Sequence, residues 1–301
     1  MENKNFCLFC GSSSLTILFD KTREKTNSKI SRCVNCDIVF IWPQSDKDLD
    51  LKEYYQDSPS LSNYNEKRFL KRLNRVKIFK NFPSFLRKLF LRRIVFPEGK
   101  QKVLDIGCGP GMYLALLKEA GWQVQGLEIN AKEVEHGRSF GLDIFHGKLE
   151  EANFPSDYFD YIRIVQVIEH LSSPSRIFEE MERVLKPGGI IYLETPNVNS
   201  WAFGYFKENW LSVGGHIFGF SNDSLGFLCE RYGLRLKRIK SRAAKGVIQD
   251  ALKYALRDKS LFLKLVTKNK AINFFVVRVM RLFLALIGKG DSLIAFIEKD
   301  S

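Results

Sequence analysis

The chain has 301 residues, 45% of them hydrophobic, and 47 Lys and Arg against 34 Asp and Glu give it a formal net charge of +13. That much apolar material fills one large core and a small second unit, which excludes a disordered polymer and a disulfide-stapled miniprotein. No apolar run reaches the roughly 18 residues of a membrane span, and the start at Met1–Cys7 lacks the apolar h-region of a secretory leader.

The first predicted elements are two knuckles, Cys7-Leu8-Phe9-Cys10 and Cys33-Val34-Asn35-Cys36. Each places two thiolates on one tight turn, and two such turns facing each other complete a tetrahedral S4 metal site. With no secretion signal, metal binding in a reducing compartment explains these cysteines better than disulfides; a redox pair or free thiols is the alternative. Leu15–Phe19 and Val39–Trp42 alternate like strands, so residues 1–60 are expected to form a zinc ribbon. Its Zn2+ would be structural, because no open ligand position is evident and so small a unit cannot hold a core alone.

The positive charge is local. Eleven Lys and Arg and no acid lie between Lys67 and Arg93. Phe69, Leu70, Leu73, Val76 and Phe79 recur there at helical spacing; Pro83-Ser84 breaks the helix, and Phe85, Leu86, Leu89 and Phe90 resume the stripe. Residues 61–98 therefore form a basic amphipathic helical linker, closed by Pro97-Glu98-Gly99.

Val103-Leu104-Asp105-Ile106-Gly107-Cys108-Gly109-Pro110-Gly111 then reads as a buried strand, a tight turn and a helix start. Glycines at 107, 109 and 111 let backbone approach a ligand with no Cβ in the way. The spacing is neither G-x-G-x-x-G nor a P-loop, and no lysine follows to hold a phosphate. Asp105 at the strand end suits a cationic ligand. The next strand, Gln123–Glu128, ends in an acid where a ribose diol is gripped in such sheets.

Asp105-x-Gly107-x-Gly109-x-Gly111 followed by Glu128 resembles the class I S-adenosylmethionine-dependent methyltransferases. Phe159-Asp160-Tyr161, Val167-Ile168-Glu169-His170-Leu171 and Leu185-Lys186-Pro187-Gly188-Gly189 resemble the same family in the same order, and the match runs from about Lys102 to Arg242. The resemblance implies an α/β fold, a doubly wound, mostly parallel seven-stranded sheet. It also implies S-adenosylmethionine held by Asp105, Gly107, Gly109, Gly111 and Glu128, with Gln166 near the carboxyl end of the fourth strand. Relatives usually carry an adenine-binding acid where Lys148 stands, so Glu150 or a backbone carbonyl takes that contact. A ribbon followed by Tyr54, Tyr55 and Tyr64 resembles methyltransferases of surface-polysaccharide and deoxysugar pathways; those tyrosines line a substrate cleft or simply pack between domains.

Within residues 99–243, strands are expected near Leu142–His146, Tyr158–Val167, Gly189–Thr195 and Arg235–Ser241, with helices at Pro174–Lys186 and Asp223–Tyr232. The final strand, antiparallel to Arg235–Ser241, falls within residues 291–301. Residues 244–290 are a helical insertion before it, too long for a loop.

Four histidines are candidates for removing an acceptor's proton: His136, His146, His170 and His216. His216 ranks first and His170 second, because both follow strands at the carboxyl end of the sheet. Gly214-Gly215-His216-Ile217-Phe218-Gly219-Phe220-Ser221 resembles the Glu-His-x-x-x-Phe-Ser stretch of sugar C-methyltransferases. Gly215 replaces the glutamate, which favours a hydroxyl acceptor over carbon. Nine Lys and Arg and one acid lie between Lys253 and Lys289, and Ala271–Ile287 is almost wholly apolar apart from two arginines. That geometry suits a helix lying in an anionic headgroup region, with the Lys67–Arg93 helices as a second surface of the same kind. The bland alternative is packing on the core or a dimer interface.

The expected function is O-methylation of a sugar or lipid-linked saccharide, with the protein cytoplasmic and peripheral on the inner face of the membrane. An RNA methyltransferase is the runner-up. It is disfavoured because the basic segments interleave with aliphatic residues and no base-flipping tetrad is present. A non-catalytic cofactor-binding scaffold is the third reading.

Overall fold

The computed structural model describes residues 6–20, 29–42, 66–82, 101–171, 174–207, 216–255 and 269–301. Tyr54, Tyr55, Tyr64, the Phe85–Arg93 half of the basic linker, Gly214-Gly215 and the middle of the insertion lie outside the described residues.

Seven strands form the main sheet, in the order β10-β11-β8-β7-β4-β5-β6. They are β4 (Lys102–Ile106), β5 (Gln123–Glu128), β6 (Ile144–His146), β7 (Phe159–Val165), β8 (Leu185–Pro196), β10 (Leu234–Arg242) and β11 (Ser292–Lys299). Neighbours from β8 to β6 pair in parallel, and β11 alone runs antiparallel, between β8 and β10.

Alternation along β4 shows why helices cover both faces. Val103 packs with Leu117 and Trp122 on one side. Leu104 and Ile106 point the other way, into a cluster with Phe178, Met181, Leu225 and Leu228. A strand buried on both faces reads as a continuous apolar run. The helices are α2 (Met112–Glu119), α3 (Ala131–Ser139), α4 (Pro174–Val184), α5 (Trp201–Phe206) and α6 (Asn222–Arg231), preceded by α1 (Glu66–Phe79). Two boundaries differ from expectation for physical reasons. Strand β7 stops at Val165 because Gln166 adopts φ +55°. Strand β8 starts at Leu185, which pairs with Phe159, so α4 ends at Val184.

The second sheet has the order β1-β2-β3-β9, from β1 (Leu15–Phe19), β2 (Lys29–Cys33), β3 (Val39–Trp42) and β9 (Phe218–Gly219). Its fourth strand comes from the methyltransferase-like region, with Val39 opposite Gly219 and Phe40 opposite Phe218. Phe9 meets the rings of Phe218 and Phe220 edge-on, and Cys7, Ile38 and Phe40 belong to the main core cluster. The N-terminal antiparallel sheet, where the zinc ribbon is expected, therefore shares its core with the main sheet.

The insertion supplies α7 (Lys245–Ala255) and α8 (Lys270–Leu286), whose Asn269 cap accepts from Ala271 N and Ile272 N. Val277 and Leu284 of α8 pack with Ala243 and Ile248. The two basic segments stand apart. Helix α1 packs on α2 through Val76 and Leu116, on the β4–β5 half of the sheet. Helix α8 belongs to the opposite edge, where Ser241 of β10 donates to Ala285 O at 3.2 Å.

Candidate active site

The glycine turn is built as its residue types require. Gly107 has φ +67°, and a Cβ there would stand 2.4 Å from Val167 Cγ2; Gly111 has φ +74°, and its Cβ would stand 2.4 Å from Leu142 Cδ1. Only glycine satisfies both the backbone angle and the space. Glu128 braces the turn: Oε2 accepts from Gly109 N at 2.9 Å, and Oε1 accepts from Ile129 N at 2.8 Å and Asn130 N at 2.9 Å. Oε1 is filled by its two donors, while Oε2 keeps one further acceptor site, so the residue serves loop and ligand together.

Asp105 departs from the reading of the sequence. It is fully buried, and its two oxygens accept from Arg163 Nη1 at 2.7 and 3.0 Å. Arg163 in turn lies over the Tyr113 ring at 4.4 Å. Register explains the pairing, since Asp105 stands opposite Arg163 across β4 and β7. The carboxylate is thus neutralised within the sheet and not presented bare to a cation. Glu133, on the first turn of α3, was not singled out by the sequence, though its place one turn after the β5 acid was a usable signal. Burial and then the nearby Glu128 carboxylate push it up to about 7.

Glu150 lies on the single turn Leu149–Glu151 after β6. Lys148 N donates to Glu151 Oε2 at 2.8 Å, so Glu151 holds the turn and Glu150 remains exposed. His146 Nε2 lies 3.0 Å from Ile129 O, and the His136 ring packs on Phe140. Neither joins the other two histidines.

The second half of the site forms where β7 and β8 end. Gln166 is exposed, its left-handed φ is uncommon outside glycine, and its N–H donates to Glu194 O at 2.8 Å. The short turn Ile168–His170 follows and carries Glu169 and His170 inward. Glu169 is 0% exposed; Oε2 accepts from Thr195 Oγ1 at 3.1 Å, and Oε1 has no hydrogen-bond partner among the described residues. Burial lifts this carboxyl to about 7 despite the hydrogen bonds that favour its anion. His170 Nε2 stands 3.9 Å from Glu169 Oε1, and the His170 and His216 rings lie 4.8 Å apart between centroids. One donor atom from each of Glu169, His170 and His216 falls within 4.8 Å of the others. The sequence thus named two of these three, and Glu169 is the one it passed over.

The four knuckle cysteines also converge, with sulfurs all within 4.8 Å of one another. Cys7 and Cys36 stand 3.5 Å apart, as do Cys10 and Cys33. Thiolates on a tetrahedral zinc are separated by about 3.8 Å, so the donor set and spacing fit that ion. Cys7 is lowered to about 5, chiefly by the hydrogen bond with Cys36, whose own thiol is raised.

A glycine turn braced by an acid at the end of the next parallel strand, in a seven-stranded sheet of order β10-β11-β8-β7-β4-β5-β6 with β11 antiparallel, is the Rossmann-like methyltransferase arrangement. The chain belongs to the methyltransferase-domain family, whose model matches residues 67–238. It is 38% identical over 97 residues to a probable S-adenosylmethionine-dependent methyltransferase of Mycolicibacterium smegmatis, covering 32% of this chain and 38% of that protein. It is 25% identical over 201 residues to the ubiquinone biosynthesis O-methyltransferase of Chromobacterium violaceum, covering 62% of this chain and 85% of that one. Haemonchus contortus phosphoethanolamine N-methyltransferase 2 shares the fold at 16% identity and a TM-score of 0.51, over 87% of this chain and 63% of that one. The chain spans about half or less of the length of the first relatives it matches.

Proposed function

We propose that the chain transfers a methyl group from S-adenosylmethionine to a hydroxyl oxygen of a sugar or lipid-linked saccharide. The observation that carries this reading is the Glu169–His170–His216 cluster. Its first two members lie on a turn that follows Val167, the residue packed against Gly107 of the glycine turn, at the carboxyl ends of the central strands where ligands bind in such sheets. The residues suit the cofactor: glycines 107, 109 and 111 leave room for it, Glu128 offers acceptors to its ribose, and Glu150 is exposed for its adenine. When bound, the cofactor supplies an electrophilic methyl on a good leaving group. The chain's own work is to hold the acceptor in line and to take one proton from it.

His216 is the group for that proton, with His170 beside it. A buried carboxyl that titrates near 7 lets Glu169 share the resulting charge with the imidazoles at neutral pH. This machinery fits a hydroxyl, whose proton one base removes. Ubiquinone O-methyltransferases, among the relatives, also methylate oxygen, as their names state. Four cysteines holding one structural Zn2+ complete the assignment.

The test is methyl transfer to a panel of sugar nucleotides, lipid-linked saccharides, phenols and RNA, read by mass spectrometry with wild type and His216→Ala. Transfer to a saccharide hydroxyl that collapses in the variant supports the reading. Robust transfer to RNA, or to a phenol with no saccharide product, overturns it.

A further inference from the structure

We propose that helix α8 is a membrane-surface helix that seats the protein on an anionic bilayer, the cytoplasmic leaflet being the surface of that charge. The inference does not depend on which acceptor is methylated. Its basis is a division of the helix into two faces. Val277 and Leu284 are buried against Ala243 and Ile248, and they anchor the helix to the fold. The opposite face turns Phe275 (67% exposed), Val279 (47%), Leu282 (59%), Phe283 (58%) and Leu286 (84%) to solvent. At 100° per residue these five fall within about 100° of arc. Seven of the exposed large apolar residues among those described lie between Phe274 and Ile287. A continuous apolar patch of that kind marks an interaction surface.

Charge selects the occupant. From Lys270 to Lys289 the chain carries Lys270, Arg278, Arg281 and Lys289 and no acid. Arg281 Nε is spent on Ala243 O at 2.9 Å, where it ties the helix down. Arg278 and Lys289 are exposed beside the apolar face. An apolar face with flanking cations matches acyl chains below anionic headgroups, where burial and Coulomb attraction act together. A second copy fits poorly. The helix carries Arg278 and Arg281 and no acid, so two copies packed face to face would bring like charges together with nothing on the helix to compensate.

The helix also leads to the site. Gly288 O and Gly290 O, just past its end, accept from Asn197 Nδ2 at 3.4 and 2.8 Å. Asn197 follows the end of β8 and bridges to Phe220, four residues beyond His216. The C-terminal end of α8 is thus tied, through Asn197, to the segment that carries His216.

The test is co-sedimentation of the whole chain with vesicles of phosphatidylcholine alone or mixed with phosphatidylglycerol, at low and high salt. The wild type should bind only the anionic vesicles and release with salt. Leu282→Glu/Leu286→Glu should cut binding at least tenfold, and Arg278→Glu should weaken it and reduce its salt dependence. Both changes lie on the exposed face, and cofactor affinity with circular dichroism verifies the fold. Monodisperse wild type that ignores anionic vesicles at low salt overturns the proposal. So does vesicle binding that the apolar substitutions leave unchanged, or a solution dimer that the same substitutions dissolve.

Discussion

Replacing Glu169 by Gln tests the centre of the site through stability as well as rate. The carboxyl is fully buried and lifted from an ordinary 4.5 to about 7. A raised acid holds its proton in the folded state and loses it in the unfolded one between those values, so folding loses stability as pH climbs through that window. The full penalty is present above about pH 7 and is about 3 kcal/mol for a shift of this size. Gln keeps an oxygen for Thr195 Oγ1 and never ionises. The variant should therefore gain on the wild type as pH rises, by about 2 kcal/mol between pH 5 and pH 8. Glu133 is common to both proteins and cancels. Urea unfolding at several pH values reads the difference directly. The same change should lower turnover about 10²-fold, with cofactor affinity kept, if the carboxylate supports the histidine base. Stability curves that stay parallel from pH 5 to pH 8 would refute the buried, raised carboxyl, and unchanged turnover would remove it from the chemistry.

Glu128→Ala should weaken S-adenosylmethionine binding at least tenfold in titration calorimetry, since it removes acceptors from Gly109, Ile129 and Asn130 as well as from the ribose. Elemental analysis should find about one zinc per chain, lost on Cys10→Ser or chelation. His216→Ala should reduce turnover by about 10²-fold or more and His170→Ala by less, with little change in cofactor affinity; equal losses of rate and binding would make either residue structural.

Much of the fold could be read from residue order because local signals agreed with tertiary need. Val103, Leu104 and Ile106 of β4 are buried on both faces of the sheet and so read as an apolar strand interrupted only by Asp105, and the knuckle spacing placed both halves of the sulfur cluster. What escaped the reading depends on pairing across the chain. Asp105 carries the sign that suits a cation, but its partner Arg163 lies 58 residues away in sequence, and only the β4–β7 register brings them together. Glu169 is an acid in a short apolar context, with nothing local to show that Thr195 covers one oxygen. Strand β9 has two residues, too few for any period, and exists because β3 offers it an edge.

That edge alters what the N-terminal ribbon is for. Ile217 is bonded in two directions: its carbonyl accepts from Ile41 N of the ribbon at 3.2 Å, and its N–H donates to Glu169 O at 2.8 Å. His216 is the neighbouring residue, so its backbone is held between the ribbon and the turn that bears Glu169. Beyond β9, Ser221 Oγ donates to Asp37 Oδ2, and Asp37 also receives Arg32 Nη1 at 3.1 Å. Phe9, between the first two cysteines, covers Phe218 and Phe220. Removing the ribbon would leave backbone groups unpaired, which is costly where they are shielded from water, and would uncover two aromatic rings. The glycine turn and Glu128, on β4 and β5, share none of these bonds. With zinc on the four cysteines as proposed, a metal-stripped protein is therefore expected to keep its affinity for S-adenosylmethionine longer than its turnover, with the His216 ring resonances broadening as the metal is removed. Simultaneous loss of binding and rate on chelation would mean that the ribbon supports the whole sheet and not the histidine segment in particular.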